Sequence, residues 1–414
     1  MNPPRRELPP SAGLPLRWRD FVPSSVPPLG QRLAELIEVA PDRLTLTCSG
    51  TAALVVALTA MKQRSRHRRE VIVPGYTCPL VALAVAHCGL ELKVCDVRRG
   101  HFEFDPAGLR QLCSERTLAI VPTHLGGRLA EMSVPLRCAR QVGAWVIEDA
   151  AQALGARHAS GAPAGTLGDV GIFSLAAGKG LSIFEGGAAV ACDSGLSRRL
   201  REAAQAVLPR NWLWEARRSI ELLGYGLFYG PRGLRWVYGR GVRSALEDGD
   251  ELAAAQDLFP SQIPLHRVGA WRQAIGARAS RRLPEFLQAS RRRAMMRTLQ
   301  MHAIEGVQVL GDRPGERGVW PMLMLQLSDP AARDAALARL WPAGLGISPM
   351  FARALPDYPY LRDTVPAAEV PNAREFCSRL ICIGNSEWLD DAAFARIVEV
   401  LQNVTPGGSA RAQD

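Results

Sequence analysis

Lys179 is the residue whose type and surroundings most directly suggest chemistry. Of the 50 lysine and arginine residues, only three are lysines, Lys62, Lys93 and Lys179. Lys179 stands in a loop of small residues, SLAAGKGLSIFEGG, between two strand-like runs. A guanidinium cannot act as the nucleophile that forms an imine, whereas a desolvated lysine amine can. Lys179 therefore indicates imine chemistry, and the alternative is an ordinary surface or phosphate-binding lysine.

An acidic residue ends the apolar run AWVIED, upstream of this loop. Asp149 is predicted to be poorly solvated there, so its carboxylate needs a permanent cation, and a protonated pyridine nitrogen is one candidate. Gln152, one helical turn further on, can reach the same space and donate to a phenolic oxygen. The alternative is that Asp149 caps a following helix, a position that Asp favours.

A third group of residues could bind a phosphate. In CSGTAALVVAL, Ser49, Gly50 and Thr51 precede an apolar helix. The free N–H groups and the positive dipole end of such a turn attract an anion, although Ser and Thr caps begin many helices. Ser174, close before the lysine, adds a hydroxyl. Tyr76, at the end of VPGY, could cover an aromatic ring, and a buried core tyrosine is the alternative.

Alternating strands and helices must position these residues. The apolar runs RLTLT, EVIVPG, LKVCDV, TLAIVPTH and AWVIEDA are separated by helical patterns. The alternation predicts βαβ crossovers and a mostly parallel sheet over 45–195, with ligands at the carboxyl ends of its strands. The expected fold class is α/β, with a three-layer large domain and a smaller C-terminal α/β domain.

Composition divides the chain into five segments. The segment 205–262 is rich in Trp, Tyr, Leu and Arg. We interpret it as helices packed on the core, and a membrane-surface or partner-binding element is the alternative. A long helix, Trp271 to Gln300, is expected to follow. The predicted divisions are an extended N-terminal arm (1–28), the cofactor-binding large domain (29–204), the aromatic and Arg-rich helical excursion (205–262), the long helix with the small C-terminal domain (263–404) and a disordered tail (405–414).

Composition also limits the function classes. No apolar run reaches the roughly 18 to 20 residues that span a bilayer, and we expect no secretory signal, which together predict a cytoplasmic protein. The formal charge of +10 suits a phosphorylated small molecule, anionic lipid or nucleic acid. No helix-turn-helix, finger or stacking pattern accompanies it, so no nucleic-acid partner is expected. The nine cysteines contain no CxxC, and we predict reduced core residues and no metal site.

Together, these motifs resemble the DegT/StrS-type sugar aminotransferases, which are fold-type I pyridoxal 5'-phosphate (PLP) enzymes with the aspartate-aminotransferase fold. The segments SGTAAL, VPGYT, THLGG around His124, EDAAQALGA and GDVGIFSLAAGKGLSIFEGG match in order and spacing. The resemblance implies PLP as cofactor. It implies that Lys179 forms the Schiff base and moves the proton, that Asp149 pairs with the pyridinium nitrogen and that Gln152 contacts the ring hydroxyl. The residues implied to hold the phosphate are Gly50, Thr51, Ala52 and Ser174.

Two positions depart from the family pattern. Where the family commonly has an aromatic residue that can stack on the ring, this chain has Cys78. Where the neighbouring subunit usually brings an Asn to the phosphate, the chain has Leu265, His266 and Arg267, of which Arg267 is the candidate replacement. Members of the family build the site at a dimer interface, so the resemblance implies a homodimer.

The resemblance implies transfer of an amino group, with glutamate as the expected donor, to a nucleotide-linked keto-deoxysugar for polysaccharide or glycoside biosynthesis. The substrates are thus expected to be small molecules. Two other functions stay open. One is a PLP-dependent aminotransferase for a non-sugar carbonyl in a natural-product pathway. The other is a PLP-binding regulatory or scaffold protein docked at a membrane through 205–262.

Overall fold

A seven-stranded sheet organises the first half of the protein, and the computed structural model describes residues 4–405. In chain order the strands are β1 (Leu44–Thr47), β2 (Glu70–Pro74), β3 (Glu91–Cys95), β4 (Thr117–Ile120), β5 (Trp145–Asp149), β6 (Val170–Ser174) and β7 (Gly187–Ala191). They lie in the order β1-β7-β6-β5-β4-β2-β3. The pairings among β2 to β6 are parallel, and β7 is antiparallel to both neighbours. The predicted mostly parallel sheet is confirmed.

Helices cover both faces of the sheet, and its strands are therefore buried on both sides, as parallel strands usually are. The strand β2 reads EVIVP and is buried at every position. The helix that follows β1 carries apolar residues on nearly all its sides and lies in the core. The helices of this part are α1 (Trp18–Phe21), α2 (Leu29–Ile37), α3 (Gly50–Arg64), α4 (Pro79–His87), α5 (Pro106–Leu112), α6 (Ser133–Val142) and α7 (Ser194–Val207).

The excursion between the two domains is helical. On its longest helix, Leu222 and Tyr225 are buried in a core cluster with Leu14 and Ile183. Among residues 4–405, no helix combines the length and the apolar character needed to cross a bilayer. The excursion contains α8 (Trp212–Phe228), α9 (Pro231–Leu234), a π-helical turn (Arg235–Gly239), α10 (Arg240–Glu247) and α11 (Glu251–Ala254).

The long helix predicted from Trp271 to Gln300 is two helices, so this prediction is wrong in its continuity. The chain forms α12 (Ala270–Ala279) and α13 (Leu283–His302), with a 3₁₀ turn between them. Pro284 lies in the first turn of α13. Because proline has no backbone N–H, it suits a helix start and interrupts a continuous hydrogen-bond ladder.

A four-stranded antiparallel sheet forms the smaller C-terminal domain, as the predicted fold class requires. Its strands pack against the last helices in a separate core cluster. The predicted tail falls on 406–414, apart from Thr405, and so lies outside the described residues. The elements are β8 (Val307–Val309), β9 (Met322–Leu327), α14 (Pro330–Leu340), β10 (Ile347–Ser348), α15 (Pro371–Arg379), β11 (Leu380–Gly384) and α16 (Asp391–Val404), with β10-β11-β9-β8 as the order in the sheet.

The N-terminal arm connects both domains. The backbone N–H of Leu8 donates to the carbonyl of Gly344 in the small domain (2.9 Å), and Leu8 is buried in that domain's core cluster. The N–H of Leu14 donates to the carbonyl of Gly180 in the large domain (3.0 Å). The arm thus spans the junction between the domains and lies against the loop of Lys179.

All nine cysteines are free thiols. Five are buried and three, Cys78, Cys88 and Cys113, are half-buried. Cys192 is exposed because the chain leaves the sheet directly after β7, so the expectation of a core position is wrong for this residue. Burial raises the pKa of the Cys78 thiol to about 12, which keeps it protonated at neutral pH.

Candidate active site

Most of the predicted site residues meet in one cavity of about 400 Å³ at the carboxyl ends of β5 and β6. Asp149 is the last residue of β5, and Ser174 is the last residue of the parallel strand β6. A larger cleft of about 1740 Å³ contains none of the predicted residues. Those that line the smaller cavity are Gly50, Thr51, Asp149, Gln152, Ser174 and Lys179.

Lys179 is half-buried in the wall of this cavity. Burial lowers the pKa of its amine, and the nearby Cys78 and Asp149 offset part of that effect. A lowered pKa increases the neutral form, which is the nucleophilic one. Gly178 precedes it with φ +76, a left-handed conformation that favours glycine, and so sets the turn that carries the lysine.

The N-terminal arm covers this turn. Ser11 Oγ donates to the carbonyl of Gly178 (2.8 Å), and the N–H of Gly13 donates to Tyr229 Oη (3.0 Å). A Cβ on Gly13 would lie 2.7 Å from the carbonyl oxygen of Lys179, so only glycine allows the arm to approach the lysine loop this closely. The arm therefore holds the backbone of the lysine loop from outside.

Asp149 is a buried carboxylate without a cation. Among residues 4–405, the N–H of Ala151 is the one donor within hydrogen-bonding distance of its side chain (3.1 Å). Burial raises the pKa of Asp149, and weaker effects of this N–H, His124 and Lys179 oppose the rise. Turns rather than a helix follow β5, so the helix-capping alternative is wrong. The carboxylate fits a ligand that brings its own positive charge.

Gln152 has a fixed amide orientation. Its Oε1 accepts a hydrogen bond from the N–H of Gly126 (2.8 Å). A Cβ on Gly126, whose φ is +56, would lie 2.7 Å from the sulfur of Met324, so this turn requires glycine. Because Oε1 is occupied, Gln152 presents its NH₂ group as a donor in the cavity.

The start of α3 forms the anion-binding end of the cavity. Ser49 Oγ accepts from the N–H of Ala52 (2.9 Å) and so caps the helix. Ala52 therefore has its N–H already engaged, and its side chain does not line the cavity. Gly50 and Thr51 begin the first turn, where N–H groups have no partner within the helix. A Cβ on Gly50 would lie 3.1 Å from that of Ser174, which brings the Ser174 hydroxyl beside this turn.

Tyr76 lies in the core and does not cover the cavity, which corrects the prediction that it lies on a ring face. Its hydroxyl donates to the carbonyl of Phe351 (3.1 Å) and accepts from the N–H of the same residue (3.0 Å). Its ring packs edge-on against Phe351 and Phe376. Tyr76 therefore joins the large domain to the small one, and Leu80 and Val81 line the cavity beside Cys78 instead.

Sequence reasoning did not assign a role to Glu148. This buried carboxylate accepts hydrogen bonds from His124 Nε2 (3.0 Å) and from the N–H groups of Gly165 (2.7 Å) and Gly168 (2.6 Å). Burial alone would raise its pKa, but hydrogen bonds from His124 and His158 hold it below the ordinary value. Glu148 thus fixes His124, which lines the cavity, and the loop before β6. The side chains of His124, Glu148 and His158 lie close enough together to hold a metal ion, but the Glu148 carboxylate already accepts hydrogen bonds from backbone N–H groups.

Part of the excursion also lines the cavity, which the sequence did not indicate. Tyr238, Asp257 and Phe259 line it together with the residues at the ends of β5 and β6. Asp257 is buried and accepts from the N–H of Ala352 (2.6 Å) and from Tyr358 Oη (2.8 Å). Burial raises the pKa of Asp257 to about 6. The segment AQDLFPSQ has no periodic pattern from which this placement could be predicted.

A buried ion pair fastens α8 to the loop that follows Lys179. Arg272 of α12 is fully buried, and its Nε donates to Glu215 Oε1 of α8 (2.8 Å). The same guanidinium donates to the carbonyl of Glu185. The Glu185 carboxylate accepts in turn from Trp214 Nε1 of α8 (3.1 Å) and lies 3.2 Å from His266 Nε2. The excursion therefore holds one end of the lysine loop.

A sequence model of the DegT/DnrJ/EryC1/StrS aminotransferase family matches residues 28–223 and 266–402. The chain belongs to this family. The gap between the matched ranges, 224–265, covers most of the excursion, from the last turn of α8 onward. The excursion is thus the part of the chain in which this member differs from the family pattern.

Two curated relatives are similar over the first part of the chain. GDP-perosamine synthase of Caulobacter vibrioides is 39% identical over 153 residues, 37% of this chain and 40% of that protein. L-glutamine:2-deoxy-scyllo-inosose aminotransferase of Micromonospora echinospora is also 39% identical over 153 residues, 37% of this chain and 36% of that protein. The similarity thus spans about two fifths of these relatives' length.

A solved structure shares the whole fold. The crystal structure of DesI in the presence of its TDP-sugar product gives a TM-score of 0.74 at 22% identity and covers 99% of this chain and 96% of that one. At this identity the likeness concerns the fold. It confirms the predicted fold class, an aspartate-aminotransferase-like large domain with a smaller C-terminal domain.

Proposed function

We propose that the protein is a PLP-dependent aminotransferase that transfers an amino group to the carbonyl of a nucleotide-linked keto-deoxysugar. The observation that carries the proposal is the amine of Lys179, whose pKa is lowered by burial, in one cavity with Asp149, a buried carboxylate that forms no ion pair among residues 4–405. The first turn of α3 supplies an anion site in the same cavity. An amine, a carboxylate and a phosphate cradle are the groups that PLP requires.

Each of these residues has a separate task in the proposed reaction. Lys179 Nζ is the amine that would attach the cofactor. Once the amino group of the donor has replaced it there, the freed lysine amine would be the base that takes the proton from the substrate carbon bearing the amino group. Burial lowers its pKa, which increases the fraction of the neutral amine needed for both tasks. When bound, PLP supplies an electron sink for the electrons that the departing proton leaves behind. Asp149 holds a proton on the ring nitrogen, which strengthens that sink.

The remaining cavity residues orient the cofactor. Gln152 donates its amide N–H to the ring hydroxyl, since its Oε1 is held by Gly126. The N–H groups at Gly50 and Thr51 and the hydroxyls of Thr51 and Ser174 bind the phosphate. The arm and α8 hold the lysine loop, so the amine stays at a fixed position relative to Asp149.

A nucleotide-linked sugar is the proposed acceptor, and glutamate is the proposed donor. The formal charge of +10 favours a diphosphate-bearing substrate. GDP-perosamine synthase and DesI with its TDP-sugar product are named for nucleotide sugars, which supports the same class here. The product would enter polysaccharide or glycoside biosynthesis.

Chemical trapping tests the cofactor assignment separately from the substrate. Full-length protein loaded with PLP is reduced with borohydride, digested and analysed by mass spectrometry. We expect the label on Lys179 in the natural protein and none in Lys179→Ala, whereas Lys62→Ala serves as the control and keeps the label on Lys179. Label on another residue, or visible cofactor absorbance that is unchanged in Lys179→Ala, would contradict the proposal.

A donor and acceptor panel tests the reaction itself. Glutamate and glutamine are compared as donors, and nucleotide ketosugars are compared with free cyclic ketones as acceptors. One relative is named for glutamine and a scyllo-inosose, so an aminotransferase for a non-sugar carbonyl is the second candidate. Activity with a ketone that carries no nucleotide, and none with any nucleotide ketosugar, would select this second candidate.

We also propose a homodimer that acts in the cytoplasm. Five cysteines are buried thiols, which supports a reducing compartment. Of the residues at the position of the usual partner Asn, His266 is turned inward to Glu185, whereas Arg267 is exposed and its Nε donates to the carbonyl of Leu208 (2.9 Å). Arg267 is thus available to a second subunit. Arg267→Ala should weaken PLP binding in the dimer without changing its mass in sedimentation velocity.

A further inference from the structure

The helix α8 presents an apolar stripe that no other part of residues 4–405 covers. With about 100° per residue in an α-helix, six residues of α8 fall within one arc of about 100° that contains no polar side chain. All six are exposed, and the exposed fraction reaches 80% at Leu227 and 76% at Trp212. A contiguous stripe of exposed apolar side chains is unusual on a protein surface. The residues are Trp212, Leu213, Ala216, Ile220, Leu223 and Leu227.

The orientation of this stripe is fixed by the opposite face of α8. Leu222 and Tyr225 are buried against the core, and Glu215 forms the buried ion pair with Arg272. Rotating the helix to hide the stripe would break that pair and expose Leu222, which is fully buried. Breaking a buried ion pair destabilises the fold by about 3–5 kcal/mol, so the stripe remains exposed to solvent.

Arginines surround the stripe. Between positions 210 and 243 the chain has seven arginines and two glutamates. Both glutamates are already paired, Glu215 with Arg272 and Glu221 with Arg217 and Arg218, and Arg243 is paired with Glu7. The four arginines of the segment without an ion pair among residues 4–405 are Arg210, Arg232, Arg235 and Arg240. The segment therefore carries positive charge beside its exposed apolar side chains, with two more exposed apolar residues, Trp236 and Val237, on the π-helical turn.

The large cleft of about 1740 Å³ lies at the Leu227 end of the stripe, and Leu227 lines it. The residues that line it include Arg232, Arg339 and Arg396, which are exposed and form no ion pair with another residue among 4–405. Of the four carboxylates in the lining, Asp390, Asp334 and Glu251 are paired with Arg6, Arg333 and Arg353, and Glu247 is the fourth. Three unpaired guanidinium groups at the edge of an apolar stripe suit phosphate groups that border an apolar phase.

We propose that α8 and the arginines around it dock the protein on the surface of an anionic phospholipid bilayer. The stripe would enter the boundary between headgroups and acyl chains, with Trp212 and Trp236 at the level that tryptophan prefers, and the arginines would contact lipid phosphates. A second copy is a poorer occupant, because a two-fold contact places the same arginine-rich surface on both sides. The proposal adds a location to the enzyme and does not depend on its substrate.

Vesicle sedimentation of the full-length, PLP-loaded protein tests the proposal. We expect binding to vesicles of phosphatidylglycerol and phosphatidylcholine, weak binding to phosphatidylcholine alone, and a marked loss in about 0.5 M salt, which screens the arginines. The pair Ile220→Ser and Leu227→Ser should lower the partition coefficient by about tenfold or more. The pair Arg232→Gln and Arg339→Gln should remove the preference for the anionic vesicles.

A matched control and a second measurement separate docking from general stickiness. Met295→Ser with Leu299→Ser alters two apolar residues of α13 that are similarly exposed, and should change vesicle binding less than twofold. All variants should keep the visible absorbance of bound PLP. The proposal fails if the natural protein binds neither vesicle, or if the α13 pair lowers binding as much as the α8 pair. It also fails if the α8 pair converts a dimer to a monomer in sedimentation velocity, because the stripe is then a contact between copies.

Discussion

Two parts of the cavity lining, the sheet wall and the insert wall, are built in different ways. The sheet wall consists of residues at the ends of β5 and β6 and in the turns beside them, such as Asp149 and Lys179. The insert wall consists of Tyr238, which lies on the π-helical turn, and of Asp257 and Phe259, which lie on irregular chain after α11. Strand ends fix Asp149 and Ser174 in the sheet wall, whereas contacts between segments far apart in sequence fix the lysine loop and the insert wall. The groups proposed to hold the cofactor lie on the first, and the second lies within 224–265, outside the residues that the family model matches.

Removing the ion pair between α8 and α12 should have the largest effect on stability. It tests whether this pair holds the excursion, which carries the insert wall, in place. Arg272→Met leaves Glu215 half-buried without its partner, so we expect a loss of about 3–5 kcal/mol in the free energy of unfolding, measured with urea. The double variant Glu215→Gln with Arg272→Met should lose less, because no charge remains unpaired. Equal losses in the two variants would show that the pair does not hold the excursion in place.

Asp149→Asn tests the sheet wall by itself. We expect a decrease in kcat of about a hundred- to a thousandfold, since the loss of a buried charge partner costs roughly 3–4 kcal/mol. Without cofactor the same substitution should stabilise the protein against unfolding. Burial raises the pKa of Asp149, so its charge destabilises the empty protein at neutral pH, and the variant without PLP should unfold at a higher urea concentration than the natural protein. A lower urea midpoint would show that a donor in the chain already compensates the charge.

Asp257→Asn tests the insert wall through pH. The folded pKa of about 6 exceeds the ordinary value of 3.8, so the folded protein binds the proton more tightly than the unfolded chain. The stabilisation from this group is complete below about pH 4 and is lost as the pH rises through 6, by up to about 3 kcal/mol. The asparagine variant should lack this slope in urea midpoints measured between pH 4.5 and 7. If the urea midpoint of the variant changes with pH as steeply as that of the natural protein, groups other than Asp257 cause the pH dependence.

Gly13→Ala should have the smallest effect and concerns the arm that covers the sheet wall. The added Cβ would lie 2.7 Å from the carbonyl oxygen of Lys179, so the arm must shift, at a cost of about 1–2 kcal/mol. Gly224→Ala is the matched control. It lies inside α8 with nothing within 4 Å of the added Cβ, and should stabilise the protein by about 0.5–1 kcal/mol. Differential scanning calorimetry with and without PLP would detect both changes.

The sheet wall could be predicted from the sequence because periodic apolar runs identify its strands, and its functional residues follow those runs directly. Asp149 and Ser174 each end such a run, and Lys179 stands in the next loop. Tyr76 follows a run in the same way, yet the small domain, which the local pattern does not describe, buries it. The insert wall could not be predicted for the same reason. Asp257 reaches the cavity through contacts with Ala352 and Tyr358, about 100 residues away, and no local pattern encodes such contacts.

The position of the N-terminal arm has a consequence for the order in which the chain folds during synthesis. Leu8 is buried in a core cluster whose other members extend from Val242 to Leu401, so the arm cannot take its final position until these much later residues have been synthesised. The sheet of the large domain has all its strands by Ala191 and can form earlier. The cavity therefore reaches its final shape only after the small domain has been synthesised, and a nascent chain exposes its lysine loop until the arm packs over it.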